Sequence, residues 1–199
     1  PVHLAKAWAT LDVLSGGRSI LGVGAGWNKE EFELMGVPQK ERGPRMDECL
    51  EIVRALWTGD HVTHRGRFYQ FEDVTIEPKP LQQPHPPLWF GGGSQATFGL
   101  VTNIDAVLER IARHADAWVP SATATPELVR GDWEKILTFV GRLGRPAAPS
   151  KVYQNFVHVL QRGESPEVAD PHFRRFSGMD RDFWRTHYLL GAAEEVAEK

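Results

Sequence analysis

Two glycine-rich stretches and one Ser/Thr pair are the residues of this chain with the plainest chemical meaning. In Leu21-Gly22-Val23-Gly24-Ala25-Gly26-Trp27, glycines at alternate positions clear side chains from the end of an apolar run. A flat ring can then lie against bare backbone. The second stretch, Gly91-Gly92-Gly93-Ser94, lies where an extended run gives way to a helical one. Free backbone N–H groups and a hydroxyl at such a junction can hold a phosphate. Thr97 follows Ser94 at a spacing that, at a helix start, brings both hydroxyls to one side. Two plainer readings stand beside these: a strand end kept bare for close packing, and a flexible turn with Ser94 as an N-cap. The first stretch also has the look of a dinucleotide fingerprint. Its spacing, however, is G-x-G-x-G, and no acidic residue ends a following strand.

The remaining candidates are weaker. His61 and His64 fall in a predicted hairpin without a nearby cysteine or carboxylate cluster, so no metal is expected there. His3, His85, His114, His158, His172 and His187 are scattered, and no acid–base pair stands out. Phe173-Arg174-Arg175-Phe176 and Phe183-Trp184-Arg185 have the residue types to close over an aromatic or anionic ligand, or to form the core of a small subdomain.

Rigid elements must hold these stretches in place. Leu4, Ala7, Trp8, Leu11 and Leu14 recur at helical spacing, with Gly16-Gly17 as the stop, so the chain opens with a helix. Ser19 to Gly24 is a short apolar run suited to a strand buried on both faces. Asn28 caps a short helix through Met35; a second helix sets Met46, Cys49, Leu50, Val53 and Trp57 on one face. Residues 58–87 form an excursion, with Val62-Thr63-His64 and Phe68-Tyr69-Gln70 flanking Arg65-Gly66 as a hairpin before a proline-rich run. Pro87 to Phe90 is the next strand, and Asn103 caps a helix striped by Ile104, Val107, Leu108 and Ile111. Asp116 to Val119 is a third strand, after which Thr125-Pro126 starts a helix that turns Trp133, Ile136, Leu137 and Val140 inward. Val152 to Leu160, rich in β-branched and aromatic residues, reads as a fourth strand. Residues 161–190 are too long for an ordinary connection and predict a partly helical segment or a lid insertion; Ala192 to Lys199 is helical.

This alternation of strand and helix predicts an α/β fold with parallel strands. Composition narrows the partners. The 23 Lys and Arg nearly balance the 26 Asp and Glu, which gives no electrostatic footprint for nucleic acid or an anionic membrane. A small molecule is the expected ligand. Cys49 is the only cysteine, so no internal disulfide or cysteine-rich metal site is expected, and the cytoplasm is the expected compartment.

In sequence, Leu4-Ala5-Lys6, Ala9 to Arg18, LGVGAGW at 21–27 and Glu31-Phe32 resemble the luciferase-like monooxygenases. Arg45 with Glu48, Leu56-Trp57, Gly66-Arg67-Phe68-Tyr69, Pro78-Lys79-Pro80, Pro86-Pro87, Trp89, Gly91-Gly92 and Ala115-Asp116-Ala117-Trp118 continue the resemblance in the same order. Gly191 to Ala197 is similar to the helix before the family's last strand. The resemblance implies a (β/α)₈ TIM-barrel domain over 1–199, present in part, with the four strands above as barrel strands four to seven. A complete barrel takes about 250 residues, and a partial one is expected to leave open edges prone to pairing or aggregation. It further implies coenzyme F420 or FMN at the carboxyl mouth. Gly91, Gly92, Gly93, Ser94 and Thr97 would lie at the cofactor phosphate, and Gly24, Ala25 and Gly26 beside the ring. The luciferases proper carry an arginine where this chain has Ala25, which favours the deazaflavin over FMN.

The implied activity is that of an oxidoreductase or monooxygenase acting on a small organic molecule, by hydride transfer or oxygen activation. The alternative is a non-catalytic flavin-binding or structural barrel relative. Acid–base residues of the family come from early strands, so the catalytic residues are expected outside this chain and the piece alone is expected to be inactive. A homodimer is left open.

Overall fold

Short apolar runs build three of the four strands of the main sheet, two of them running into glycine, and helices close over one of its faces. The computed structural model describes residues 1–95, 103–177 and 181–198. Helix α1 (Val2–Leu14) precedes strand β1 (Leu21–Val23), then α2 (Lys29–Leu34), capped by the Asn28 side chain, and α3 (Arg42–Thr58). A hairpin of β2 (Val62–Arg65) and β3 (Gln70–Val74) follows. Next come β4 (Leu88–Gly91), α4 (Ile104–His114) with Asn103 as its cap, and β5 (Ala117–Val119). Helix α5 (Pro126–Arg142) starts at Thr125, whose hydroxyl accepts from the Leu128 N–H, with Pro126 in the first turn where its missing N–H costs nothing. The chain ends with β6 (Ser150–Lys151), β7 (Val157–Val159), α6 (Asp170–Ser177), α7 (Arg181–His187), β8 (Leu189–Gly191) and α8 (Ala193–Glu198).

The main sheet has the order β1-β4-β5-β6 and is parallel throughout. It is open: no closed barrel forms among the described residues. Leu21, Leu88, Phe90 and Trp118 are buried in the main core with Leu50, Leu56, Leu108 and Ile136 from the helices. Strand residues alternate between faces, so Gly22 and Gly91 point the other way and are exposed.

Three expectations need correcting. Val152 to Leu160 is not one strand. The main sheet takes Ser150-Lys151, with the Val152 N–H donating to Trp118 O at 2.8 Å, while Val157–Val159 pairs in parallel with Leu189–Gly191 in a separate sheet. The interruption has a cause: the amides of Gln154 and Asn155 reach out to Pro120 O (2.9 Å) and His187 O (2.8 Å). Leu189–Gly191, assigned to the excursion and the helix after it, is therefore a strand. The buried face of α1 is also rotated from the leucine stripe: Ala5, Ala9 and Asp12 are buried, whereas Leu14 is 80% exposed. Alanines let α3 approach closely enough for Trp57 Nε1 to donate to Ala5 O at 2.9 Å.

Two carboxylates tie distant segments. Asp12, fully buried, accepts from Ser19 Oγ (2.7 Å), the Leu81 N–H (2.8 Å), the Gln82 N–H (3.0 Å) and Gln82 Nε2 (2.6 Å). Glu48 on α3 accepts from the N–H groups of Phe68 and Tyr69 and lies 3.1 Å from His64 Nε2, fixing the hairpin turn. A smaller second core gathers Ala169, Phe173, Tyr188 and Leu190, with Phe156, Leu160 and Phe183 packed against it.

Candidate functional site

Because the four strands run parallel, Gly24, Gly92 to Ser94, Pro120-Ser121 and Val152-Tyr153 all leave the sheet at its carboxyl edge, where ligand sites of such sheets form. The first two ends abut. A Cβ at Gly24 would sit 3.8 Å from Gly91 O, and one at Gly91 3.7 Å from Val23 O. One at Gly22 would meet nothing within 4 Å. Bare backbone therefore adjoins at Gly24 and Gly91, whereas Gly22 is paired with Trp89. Gly26 serves a different purpose: its φ of +77° and the Phe32 ring 3.0 Å from a would-be Cβ make it a turn glycine. Ala25 is half-buried between them.

The turn after β4 is held from the next two layers. The Gly92 N–H donates to Val119 O (3.2 Å), and Trp118 Nε1 donates to Gly92 O (2.7 Å). Gly93 has φ +134°, and a Cβ there would lie 2.8 Å from Asp132 Oδ2. Asp132, on α5 and 5% exposed, accepts both from the Ser94 N–H (2.6 Å) and from Ser94 Oγ (2.7 Å). The two Ser94 donors expected to face a phosphate thus face a carboxylate of the same chain. Asp132 and Trp118 hold this turn, a role that sequence reasoning missed. Thr97 lies outside the described residues.

His61 and His64 have partners within the hairpin region. His61 Nδ1 lies 2.7 Å from Asp73 Oδ1, and His64 pairs with Glu48. Among the described residues, Phe173 and Phe183 pack into the second core instead of standing free. The side chains of Arg175, Phe176 and Trp184 lie outside the described residues. A cavity of about 680 Å³ opens beside the turn, between the loop after β5, the first turns of α5 and the chain from Lys151 to Asn155. Thr186 to Leu189 form a further wall. None of the described glycines, nor Ser94, lines it.

The sequence and fold have clear relatives. Over 107 residues the chain is 39% identical to the FMNH(2)-dependent dimethylsulfone monooxygenase of Pseudomonas putida, a match covering 52% of this chain and 30% of that protein. It is 36% identical over 160 residues to an uncharacterized protein of Mycobacterium tuberculosis, covering 80% of this chain and 49% of the relative. The chain thus spans half or less of the length of these curated relatives. The monooxygenase RslO1 from Streptomyces bottropensis superposes with a TM-score of 0.76 at 25% identity, covering 100% of this chain and 61% of that one. An F420-dependent secondary alcohol dehydrogenase has the same fold, with a TM-score of 0.77 at 18% identity over 98% of this chain and 63% of the other. The luciferase-like monooxygenase family model matches residues 1–199. With its parallel strands ending in a glycine edge, this chain belongs to the luciferase-like monooxygenase family.

Proposed function

We propose that this chain supplies the cofactor-binding edge of a flavin- or deazaflavin-dependent oxidoreductase acting on a small organic substrate. The observation that carries this reading is the bare backbone where Gly24 and Gly91 adjoin, which offers a planar ring a place to rest without a side chain in the way. FMN or F420 supplies the redox chemistry when bound, as oxygen activation or hydride transfer. This chain's own residues position and shield it. Gly24 and Ala25 would edge the ring, with Gly26 turning the chain beside it, and Gly91 to Ser94, with Thr97, would hold the phosphate. The ring surface fits as it stands. The phosphate cradle fits once Asp132 gives up Ser94, because both Ser94 donors are spent on its carboxylate.

Coverage of no more than about two thirds of the solved relatives supports the reading that these strands are the fourth to seventh of a longer barrel, with acid–base residues on strands outside this chain. The segment 161–190 lends Thr186 to the cavity wall, as a lid would. No described helix is long and apolar enough to cross a membrane. The competing reading, a non-catalytic relative, draws on Ser94 being satisfied within the protein.

Titration of the full-length protein with reduced FMN and with reduced F420, followed by absorbance, tests the cofactor edge, and turnover of bound cofactor separates an enzyme from a non-catalytic flavin-binding relative. Saturable binding of either, lost in Gly24→Val, is the expected result. Absence of binding to both overturns the reading.

A further inference from the structure

The cavity beside α5 has a wall chemistry that the glycine edge lacks. Trp133 lines it, stacked on Trp118 with ring centroids 6.0 Å apart and planes 8° from parallel, and Lys151 Nζ lies 5.0 Å from the centre of the Trp133 ring. Arg130 and His187 line the same space, whereas no Asp or Glu is among its described lining residues. Glu127, fully exposed on the first turn of α5, is within electrostatic range of Arg130 and His187. Its own N–H and the Thr125 hydroxyl engage its carboxyl and hold it below the usual carboxylate range. Lys151 forms no ion pair among the described residues; its charge rests over an aromatic face. Gln154 and Asn155 pin the walls through Pro120 O and His187 O, so the opening has a set shape.

We propose that this cavity binds an organic anion with a flat apolar body, its carboxylate or sulfonate against Lys151 and Arg130 and its ring against Trp133. Ligand pockets of roughly 300–1,000 Å³ take compact organic molecules, with a few polar groups fixing orientation on apolar walls. Here the charged groups on the wall are cations: Glu127 balances Arg130 from outside the cavity, and a neutral ligand would leave Lys151 without a counter-charge. The ammonium over indole gains from the ring's negative face and keeps its N–H donors for an incoming oxyanion. The inference stands apart from the cofactor reading, because none of the described residues assigned to the cofactor lines the cavity.

Calorimetric titration of the protein, without cofactor, with benzenesulfonate and with neutral benzenesulfonamide tests it. The sulfonate is expected to bind saturably and at least tenfold more tightly than the sulfonamide, with affinity falling as salt is raised. Lys151→Met is expected to lose about tenfold in sulfonate affinity and Arg130→Gln several-fold, leaving the sulfonamide unchanged. Both side chains are exposed and outside the core, and matching unfolding midpoints confirm that each variant is folded. Equal affinity for the two probes, no saturable heat, or full affinity in both variants overturns the proposal. Loss of FMN and F420 binding alone would not.

Discussion

Asp132 reaches from α5 to grip Ser94 through both of its donors, with Oδ2 at 2.6 Å from the backbone N and Oδ1 at 2.7 Å from the hydroxyl. In the proposed cradle, a phosphate oxygen would have to displace this carboxylate from the Ser94 donors. The carboxylate therefore stabilises the turn and competes with the proposed ligand.

Asp132→Asn is expected to separate these two effects. Losing one of two charge-assisted hydrogen bonds should destabilise the fold by roughly 1–3 kcal/mol. Freeing a Ser94 donor and removing a neighbouring negative charge should tighten FMN binding several-fold while leaving riboflavin, which has no phosphate, unchanged. Urea unfolding and parallel titrations with the two flavins check both halves.

Gly24 is the position at which to block the ring surface. A Cβ there makes ordinary contact, 3.8 Å from Gly91 O, so Gly24→Val should unfold within a few degrees of the parent and bind cofactor at least tenfold more weakly. Gly92 is a poorer choice. Its φ of +146° and Val107 Cγ1 3.3 Å from a would-be Cβ mean that a bulky residue strains the turn itself. Thermal melts beside binding titrations distinguish the two positions.

The elements that read clearly from sequence are those with local causes. Asn28, Asn103 and Thr125 each cap the helix expected of them, because a capping side chain bonds to an N–H two or three residues away. Strand ends at Gly24 and Gly91 were legible for the same reason. The Asp132–Ser94 contact spans 38 residues, and no local pattern marks it. Nor does one reveal the cavity, which draws on three separated segments. The division between β6 and β7 was hidden because Val152 to Leu160 has the right residue types for one strand, while long-range amide contacts of Gln154 and Asn155 decide otherwise.

Acid should loosen the hairpin through Glu48. Burial opposes its ionisation, but the N–H groups of Tyr69 and Phe68 and the His64 ring outweigh that and hold its carboxyl below the ordinary value of 4.5. The unfolded chain then binds the proton more readily, so the stabilisation is complete above that value and is lost as pH falls through the depressed folded value. Unfolding midpoints measured from pH 7 down to about 3 should fall in this range. The fall should be shallower in Glu48→Gln, which starts less stable by roughly 1–3 kcal/mol.

Asp12→Ala should be the costlier change. It strands the donors of Ser19, Leu81 and Gln82 in a buried space, a loss of roughly 3 kcal/mol or more by urea unfolding. Asp12→Asn, which keeps an acceptor, should lose less.

The same carboxylate imposes an order in time. Its partners Leu81 and Gln82 lie 69 and 70 residues downstream, beyond α3 and the hairpin. On the ribosome, α1 can coil as soon as it emerges, but its last turn has no settled resting place until the proline-rich stretch has been made. The block from α1 to Gln82 therefore closes late, and β1 waits longer still for its partner β4. Slowing translation just before Leu81 would prolong the interval in which that block is unfinished.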